Sequence, residues 1–198
     1  MDTSHDGIIL GSGHNSLVLQ AYLCRAGLDV VCLESSHIAG GGLRTEDRGG
    51  FLHNTHSFYH RALTQAPWYR DLELARRGAH YLEPELNVVM LTRDGRALEW
   101  WTDFEKTVAS FAHFDRRDAE RLRYWRDAFC PIVQHILIPE AQAPPLPPEV
   151  RQRALAARPE GRLLLETSAY SPREFVQREF RHPLIQAGLL FFNGLREV

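Results

Sequence analysis

Apolar positions along this chain first run without a break, then fall into helical spacing, then run unbroken again. The stretch GIIL at 7–10 is apolar throughout and stops at glycine, the pattern of a buried strand. Residues 14–26 follow with the spacing of a helix, and Gly27 suits its C-terminal cap. Leu28 to Leu33, apolar but for Asp29, reads as a second buried strand. Strand, helix and strand within about thirty residues make a βαβ unit. Strands that are apolar on both sides predict a parallel pair covered on both faces.

Further along, the pattern changes character. Residues 35–50 are glycine-rich and polar, which predicts a loop. The run 87–101 predicts a hairpin that turns at Asp94-Gly95. Asp103 is placed to cap a helix reaching Phe114, and Asp115 a second helix reaching Ile138. The proline-rich stretch 139–148 predicts a stiff extended linker. Ser171-Pro172 opens a short helix to Phe180, and 183–195 form a last, strongly apolar helix. The fold class is α/β, with a Rossmann-like βαβ portion over 1–75 and part of a second, α+β domain over 76–198.

Composition narrows the function classes. The chain has 198 residues, 44% hydrophobic, with a net charge of -2, an ordinary globular balance. No basic run points to nucleic acid. No apolar stretch reaches the roughly 18 residues of a membrane span. The N-terminus has no basic segment ahead of its apolar run, so no signal peptide is expected and the protein is placed in the cytoplasm. Cys24, Cys32 and Cys130 form no CxxC pair and read as buried free thiols of a reducing compartment.

The first candidate chemistry lies between the strand and the helix. Gly11-x-Gly13-x-x-Ser16 follows a strand and opens a helix, the context that gives a GxGxxG-like pattern its meaning. Gly11 permits a tight turn, and Gly13 lets the backbone approach a pyrophosphate stabilised by the helix N-terminus. Ser16 is small enough for helix and strand to pack. Glu34 ends the second strand, 21 residues beyond Gly13, where a carboxylate accepts hydrogen bonds from ribose hydroxyls and repels a 2′-phosphate. The alternative is a surface glutamate after a buried strand. Together these features predict an ADP-containing dinucleotide.

The loop after Glu34, SSHIAGGGLRTED, brings three consecutive glycines close to the ribose acid, a second place for bare backbone. On GHNS after Gly13 and GGGLRTE after Glu34, the chain resembles FAD-dependent oxidoreductases of the amine oxidase and phytoene desaturase type, most nearly the latter. The resemblance is specific over 6–60. It implies FAD, with Gly11, Ser12, Gly13, Asn15 and Ser16 lining the pyrophosphate and Glu34 and Ser35 at the adenosine ribose. It also implies that Gly40, Gly41, Gly42, Leu43, Arg44 and Thr45 wrap the middle of the cofactor. Amine oxidase-type relatives carry arginine directly after the double glycine, where this chain has Gly42, with Arg44 two residues later.

The stretch GGFLHNTHSFYHR at 49–61 holds His53, His56 and His60. Their spacing would put them on one helical face, but Gly49-Gly50 oppose a helix and no acid or cysteine joins them, so no metal is expected. In the resembling family this segment enters the isoalloxazine region. Asn54 stands there in place of an acid and His56 in place of a glycine. Either His56 or Tyr59 shapes the substrate side of the flavin or assists proton transfer, or His56 is a plug, or the loop satisfies its own polar groups. The helix DRRDAERLRYWRDAF reads as a solvated face backed by Leu122, Trp125 and Phe129.

The family adds further strands to its nucleotide sheet, and only two parallel strands are evident here. The chain is therefore expected to be incomplete relative to the family and to work with a complementary C-terminal chain or subunit. The leading expectation is the N-terminal part of an FAD-dependent dehydrogenase, desaturase-like, acting on an apolar small molecule by hydride transfer to flavin. The alternatives are a non-catalytic assembly or regulatory subunit that keeps the nucleotide fold, and an NAD-dependent dehydrogenase, which the GGGLRT loop disfavours.

Overall fold

A computed structural model describes residues 4–57, 60 and 63–194. The chain divides into two compact units, Met1–Tyr81 and Leu82–Val198.

In the first unit, β1 (Gly7–Leu10) pairs in parallel with β2 (Val30–Leu33), Gly7 opposite Val30 and Leu10 opposite Leu33. Helix α1 (His14–Arg25) makes the crossover and ends at Ala26, with Gly27 in the left-handed region at φ +89°. That is the βαβ unit expected, with β2 starting two residues late. Its covering is not as expected. Ile8, Leu10 and Leu33 are 64%, 79% and 53% exposed, and no residue of α1 is buried. A two-stranded parallel pair with one crossover helix supplies cover for part of one face only.

The 35–50 stretch is not simply a loop. A short 3-10 turn at Gly41–Leu43 leads into β3 (Thr45–Arg48), which pairs antiparallel with β4 (Phe51–Asn54). Gly49 and Gly50, at φ +66° and +87°, make the two-residue turn whose mirror-image geometry matches strand twist. TEDR lacks apolar alternation because both of its faces are polar and largely exposed. The unit closes with α2 (Pro67–Asp71). Cys24 and Cys130 are exposed and Cys32 half-buried, so the cysteines are free but not buried.

The second unit begins with the hairpin β5 (Leu86–Leu91) and β6 (Ala97–Trp101), with Gly95 in the turn at φ +81°. Helix α3 (Phe104–Ala112) is capped by the Asp103 carboxylate, which accepts from Glu105 N. It covers the free side of β6: Glu99 N donates to Ser110 Oγ at 2.9 Å and Trp101 N to Thr107 Oγ1 at 2.7 Å. Helix α4 (Arg116–Ile132), capped by Asp115, continues through a widened π turn (Val133–Leu137) into α5 (Ile138–Ala141). The proline stretch is therefore helical at its start, and 142–147 run without regular structure before α6 (Pro148–Ala156). Helices α6 and α7 (Pro159–Thr167) are additions to the elements that the pattern predicts. Helix α8 (Pro172–Glu179) carries the Ser171–Glu174 capping box, and α9 (Pro183–Gly194) is the last element among the described residues.

Leu98, Phe111 and Ile185 are fully buried in one apolar cluster with Val108, Val176 and Phe180. Leu122 and Trp125 of α4 pack against it. Ile132, Ile136 and Leu155 form a second cluster, which Phe129 joins. Asp118, fully buried, accepts from Arg181 N at 2.9 Å and His182 N at 2.8 Å and so holds the turn that opens α9. Gly188 lets α9 approach β6; a methyl there would lie 2.6 Å from the Trp100 ring.

Candidate dinucleotide-binding site

The two glycine loops meet. Gly40 N donates to Ser12 O at 2.8 Å, and Gly13 and Gly40 form a parallel bridge. A methyl on Gly41 would stand 3.0 Å from Gly13 Cα, so side chains are excluded where the loops cross. Gly11, at φ +88°, makes the turn off β1, and its amide donates to Leu33 O at 2.7 Å. Bare main chain at both loops is what close approach to a phosphate requires.

Gly13 is the N-cap of α1. No side chain caps that end, and no acid lies in its first turn, which holds Asn15 and Ser16. The positive end of the helix is thus left unneutralised by the protein, a condition that suits an anion.

Glu34 points into this crossing. Its Oε2 accepts from Ser12 N at 2.7 Å and from Ser12 Oγ at 2.9 Å; its Oε1 accepts from Ser36 N at 2.8 Å and, more loosely, from Ser35 Oγ at 3.4 Å. These donors, the Ser12 amide first, hold its carboxyl down to about 2. An unengaged surface glutamate is therefore excluded. The acid ties the end of β2 to the phosphate loop and stays ionised. Ser12, only 5% exposed, directs both its amide and its hydroxyl at Glu34 rather than into the helix-end space.

The rest of the second loop divides. Gly42 and Leu43 line a cavity, while Arg44 pairs with Glu46 at 2.9 Å. Thr45 begins β3 and gives its hydroxyl to Asn54 Oδ1 at 2.6 Å. Glu46 also binds Arg48, whose hydrogen bond is the main reason its pKa is lowered. The positive charge of Arg44 is thereby matched within the hairpin.

Of the histidines, His53 lies in β4, and His60 is fixed by a 3.2 Å hydrogen bond to Ser57 O and an edge contact with the Tyr81 ring. His56 stands against Gly42: a methyl at 42 would lie 3.2 Å from His56 Cδ2. Tyr59 is outside the described residues. No group of three metal-ligating side chains occurs among the described residues.

Beside the crossing lies a cavity of about 960 Å³. One wall is a face of α1, His14, Val18, Ala21 and Arg25; the other is made by Trp68, Leu72, Leu74 and Tyr81. The motifs do not announce it. Its signal in the sequence is the i, i+4, i+7, i+11 spacing of 14, 18, 21 and 25, which marks one helix face.

A βαβ unit with two interlocked glycine loops, an uncapped helix start and an ionised acid between them has the architecture of a dinucleotide-binding domain. Residues 9–73 match the NAD(P)-binding Rossmann-like domain family. The chain is 35% identical over 187 residues to a limonene dehydrogenase subunit of Castellaniella defragrans, covering 94% of this chain and 34% of that protein. It is 30% identical over 123 residues to pyridine nucleotide-disulfide oxidoreductase domain-containing protein 2 of Rattus norvegicus, covering 59% of this chain and 21% of the relative. The Mus musculus protein of that name matches over the same length. The chain thus spans about a third or less of the length of these relatives. Residues 9–73 are thus similar to a dinucleotide-binding domain, and the chain is similar to part of these oxidoreductase relatives. No helix among the described residues is long and apolar enough to cross a membrane.

Proposed function

We propose that the chain is the FAD-holding part of a dehydrogenase that removes hydride from an apolar small molecule. The observation that carries this is the crossing of the two glycine loops at Gly13, Gly40 and Gly41, since a single loop suffices for a nucleotide and the second extends the bare backbone along a longer cofactor. The residues fit the group: a methyl at Gly41 would fill the crossing, and no acidic residue lies in the first turn of α1. Gly11, Gly13, Asn15 and Ser16 would meet the pyrophosphate, Glu34 and Ser35 the adenosine ribose, and Gly40 to Thr45 the middle of FAD. When bound, FAD supplies the hydride acceptor.

In this reading the chain's own residues bind and orient. Glu34 holds two loops in register and leaves its carboxylate ionised beside the ribose, and the helix dipole takes the diphosphate charge. Residues 1–75 hold the cofactor and 76–198 contribute part of a substrate domain. The likeness to a limonene dehydrogenase subunit supports an apolar substrate and a multi-chain enzyme. Exposed Ile8, Leu10 and Leu33 support a complementary polypeptide laid against the sheet. The free thiols suit a reducing cytoplasm.

The test is cofactor choice. FAD, and not NAD, should raise the melting temperature, and the complex formed with a complementary chain should show a visible flavin band that is lost on denaturation. Stabilisation by NAD alone would overturn the flavin reading. A second reading, a non-catalytic subunit, is favoured by the pairing of Arg44 with Glu46, which removes the charge nearest the second loop. It predicts that the complex gains nothing from FAD.

A further inference from the structure

Glu34 has little capacity left for a ligand. A carboxylate offers about four lone-pair sites, two on each oxygen. Its Oε2 already accepts from Ser12 N at 2.7 Å and from Ser12 Oγ at 2.9 Å, and its Oε1 from Ser36 N at 2.8 Å. The remaining site on Oε1 holds only the Ser35 hydroxyl, at 3.4 Å.

The two oxygens are held with different firmness. Ser12 is 5% exposed, so its hydroxyl, turned away from Oε2, would be stranded out of reach of water. The main chain of Ser12 is also tied to the second loop, its carbonyl accepting from Gly40 N at 2.8 Å. Ser35 is exposed, and its hydroxyl can exchange Oε1 for water at little loss. The carboxyl feels its donors in the same order. The Ser12 amide, the Ser36 amide and the Ser12 hydroxyl lower its pKa most, and the Ser35 hydroxyl least.

We infer that Glu34 holds a ribose through Oε1 alone, taking one hydroxyl in the place that Ser35 gives up, while the Ser12 hydroxyl keeps Oε2 closed to the other. Ser12 is then a positioning residue that sets how many ribose hydroxyls the acid can receive. A carboxylate without that hydroxyl would have room for both, one on each oxygen. This selectivity rests on the dinucleotide site proposed above, but not on the choice between FAD and NAD, which share the ADP half.

The experiment titrates the full chain by calorimetry with ADP, 2′-deoxy-ADP and 3′-deoxy-ADP. One deoxy analogue should bind like ADP and the other roughly tenfold or more weakly, the loss of one hydrogen bond to a charged group. Ser35→Ala should keep that pattern. Ser12→Gly should open Oε2, so that the formerly silent analogue also falls behind ADP, with melting curves showing that the chain still folds. A second measurement needs no nucleotide: in a carbon NMR titration of the Glu34 carboxyl, Ser12→Ala should raise its pKa by more than Ser35→Ala does. Equal weakening of both analogues in the native chain would overturn the one-oxygen grip, and so would a pattern that Ser12→Gly leaves unchanged or the reverse order of pKa shifts. ADP that fails to bind at all would overturn the nucleotide site with it, whereas stabilisation by NAD in place of FAD would remove the flavin and leave this result standing.

Discussion

The two units put their apolar residues to opposite ends. From Leu82 onward the chain buries Leu98, Val108, Phe111, Ala119, Val176, Phe180 and Ile185 together, and closes a second cluster around Ile132. Before Tyr81, Val30 is the one apolar residue among those described that reaches burial, at 8% exposure. Yet this unit is not poor in apolar residues: Ile8, Leu10, Leu17, Leu19, Leu28 and Leu33 are there and face outward. The second unit packs its hydrophobic residues on one another. The first holds them at its surface and confines its tight contacts to the backbone crossing of Gly13, Gly40 and Gly41 and to Glu34.

The sharpest way to break the contrast is to empty the core of one unit. Phe111→Ala, at a fully buried position edge-on to Trp100, should cost about 3–5 kcal/mol. Urea unfolding followed by tryptophan emission should show the loss in the second unit, which holds three of the four tryptophans. Asp118→Ala comes next. It strands the amides of Arg181 and His182 in the interior and should cost about 3 kcal/mol. Rescue by Asn, which keeps one acceptor oxygen, should be partial. If either change were silent, the second unit would not be held by the core described.

In the first unit the corresponding test is a glycine. Gly41→Ala adds left-handed strain at φ +56° and a contact 3.0 Å from Gly13 Cα, and should cost about 1–2 kcal/mol. Gly49→Ala carries similar strain, at φ +66°, into open space. The difference between the two isolates the loop crossing. Only Gly41→Ala should weaken dinucleotide binding.

Where the pattern of residues alone is enough, the element is determined by local chemistry. The βαβ unit, the Asp94-Gly95 hairpin, the caps at Asp103, Asp115 and Ser171, and the last helix are all legible, since turn and cap residues act on their neighbours. The hairpin after Gly40 is not, because TEDR and FLHN have no core to alternate against; only Gly49-Gly50 give it away. Helices α6 and α7 hide behind prolines, which sit at their first turns, where a missing amide is harmless. The covering of β1 and β2 departs from expectation for a different reason. Apolar strands record the surroundings a sheet is built for, and this chain supplies only part of them. At the site, the spacing of Gly11, Gly13 and Glu34 is legible, but the double hold of Ser12 on Glu34 is not. It depends on the closing of a turn across 22 residues.

A pH titration gives a smaller and more local effect. The Glu34 carboxyl is depressed from 4.5 to about 2 by the Ser12 amide, the Ser36 amide and the Ser12 hydroxyl. A lowered folded-state value means that the tie is fully present above pH 4.5 and fades as pH falls toward about 2. Hydrogen-exchange protection at the Ser12 and Ser36 amides, corrected for intrinsic exchange, should fall across that window, and in Glu34→Gln it should be lower and independent of pH. Protection that ignored pH in the native chain would mean the acid does not hold the crossing.

The smallest effect carries the comparison furthest. Leu10→Ser, at a strand position 79% exposed, should change the stability of the chain alone by no more than about 0.5 kcal/mol, because nothing apolar leaves water when it folds. If a complementary polypeptide covers β1, the same change should weaken that association, since each apolar side chain moved out of water there contributes about 1.5–3 kcal/mol. The measurement is a pair of numbers from one variant: its melting midpoint by itself and its affinity for the covering chain. A large loss in the first would mean that the sheet is already covered within this chain. A loss confined to the second would identify the exposed strand face as a surface that another polypeptide completes.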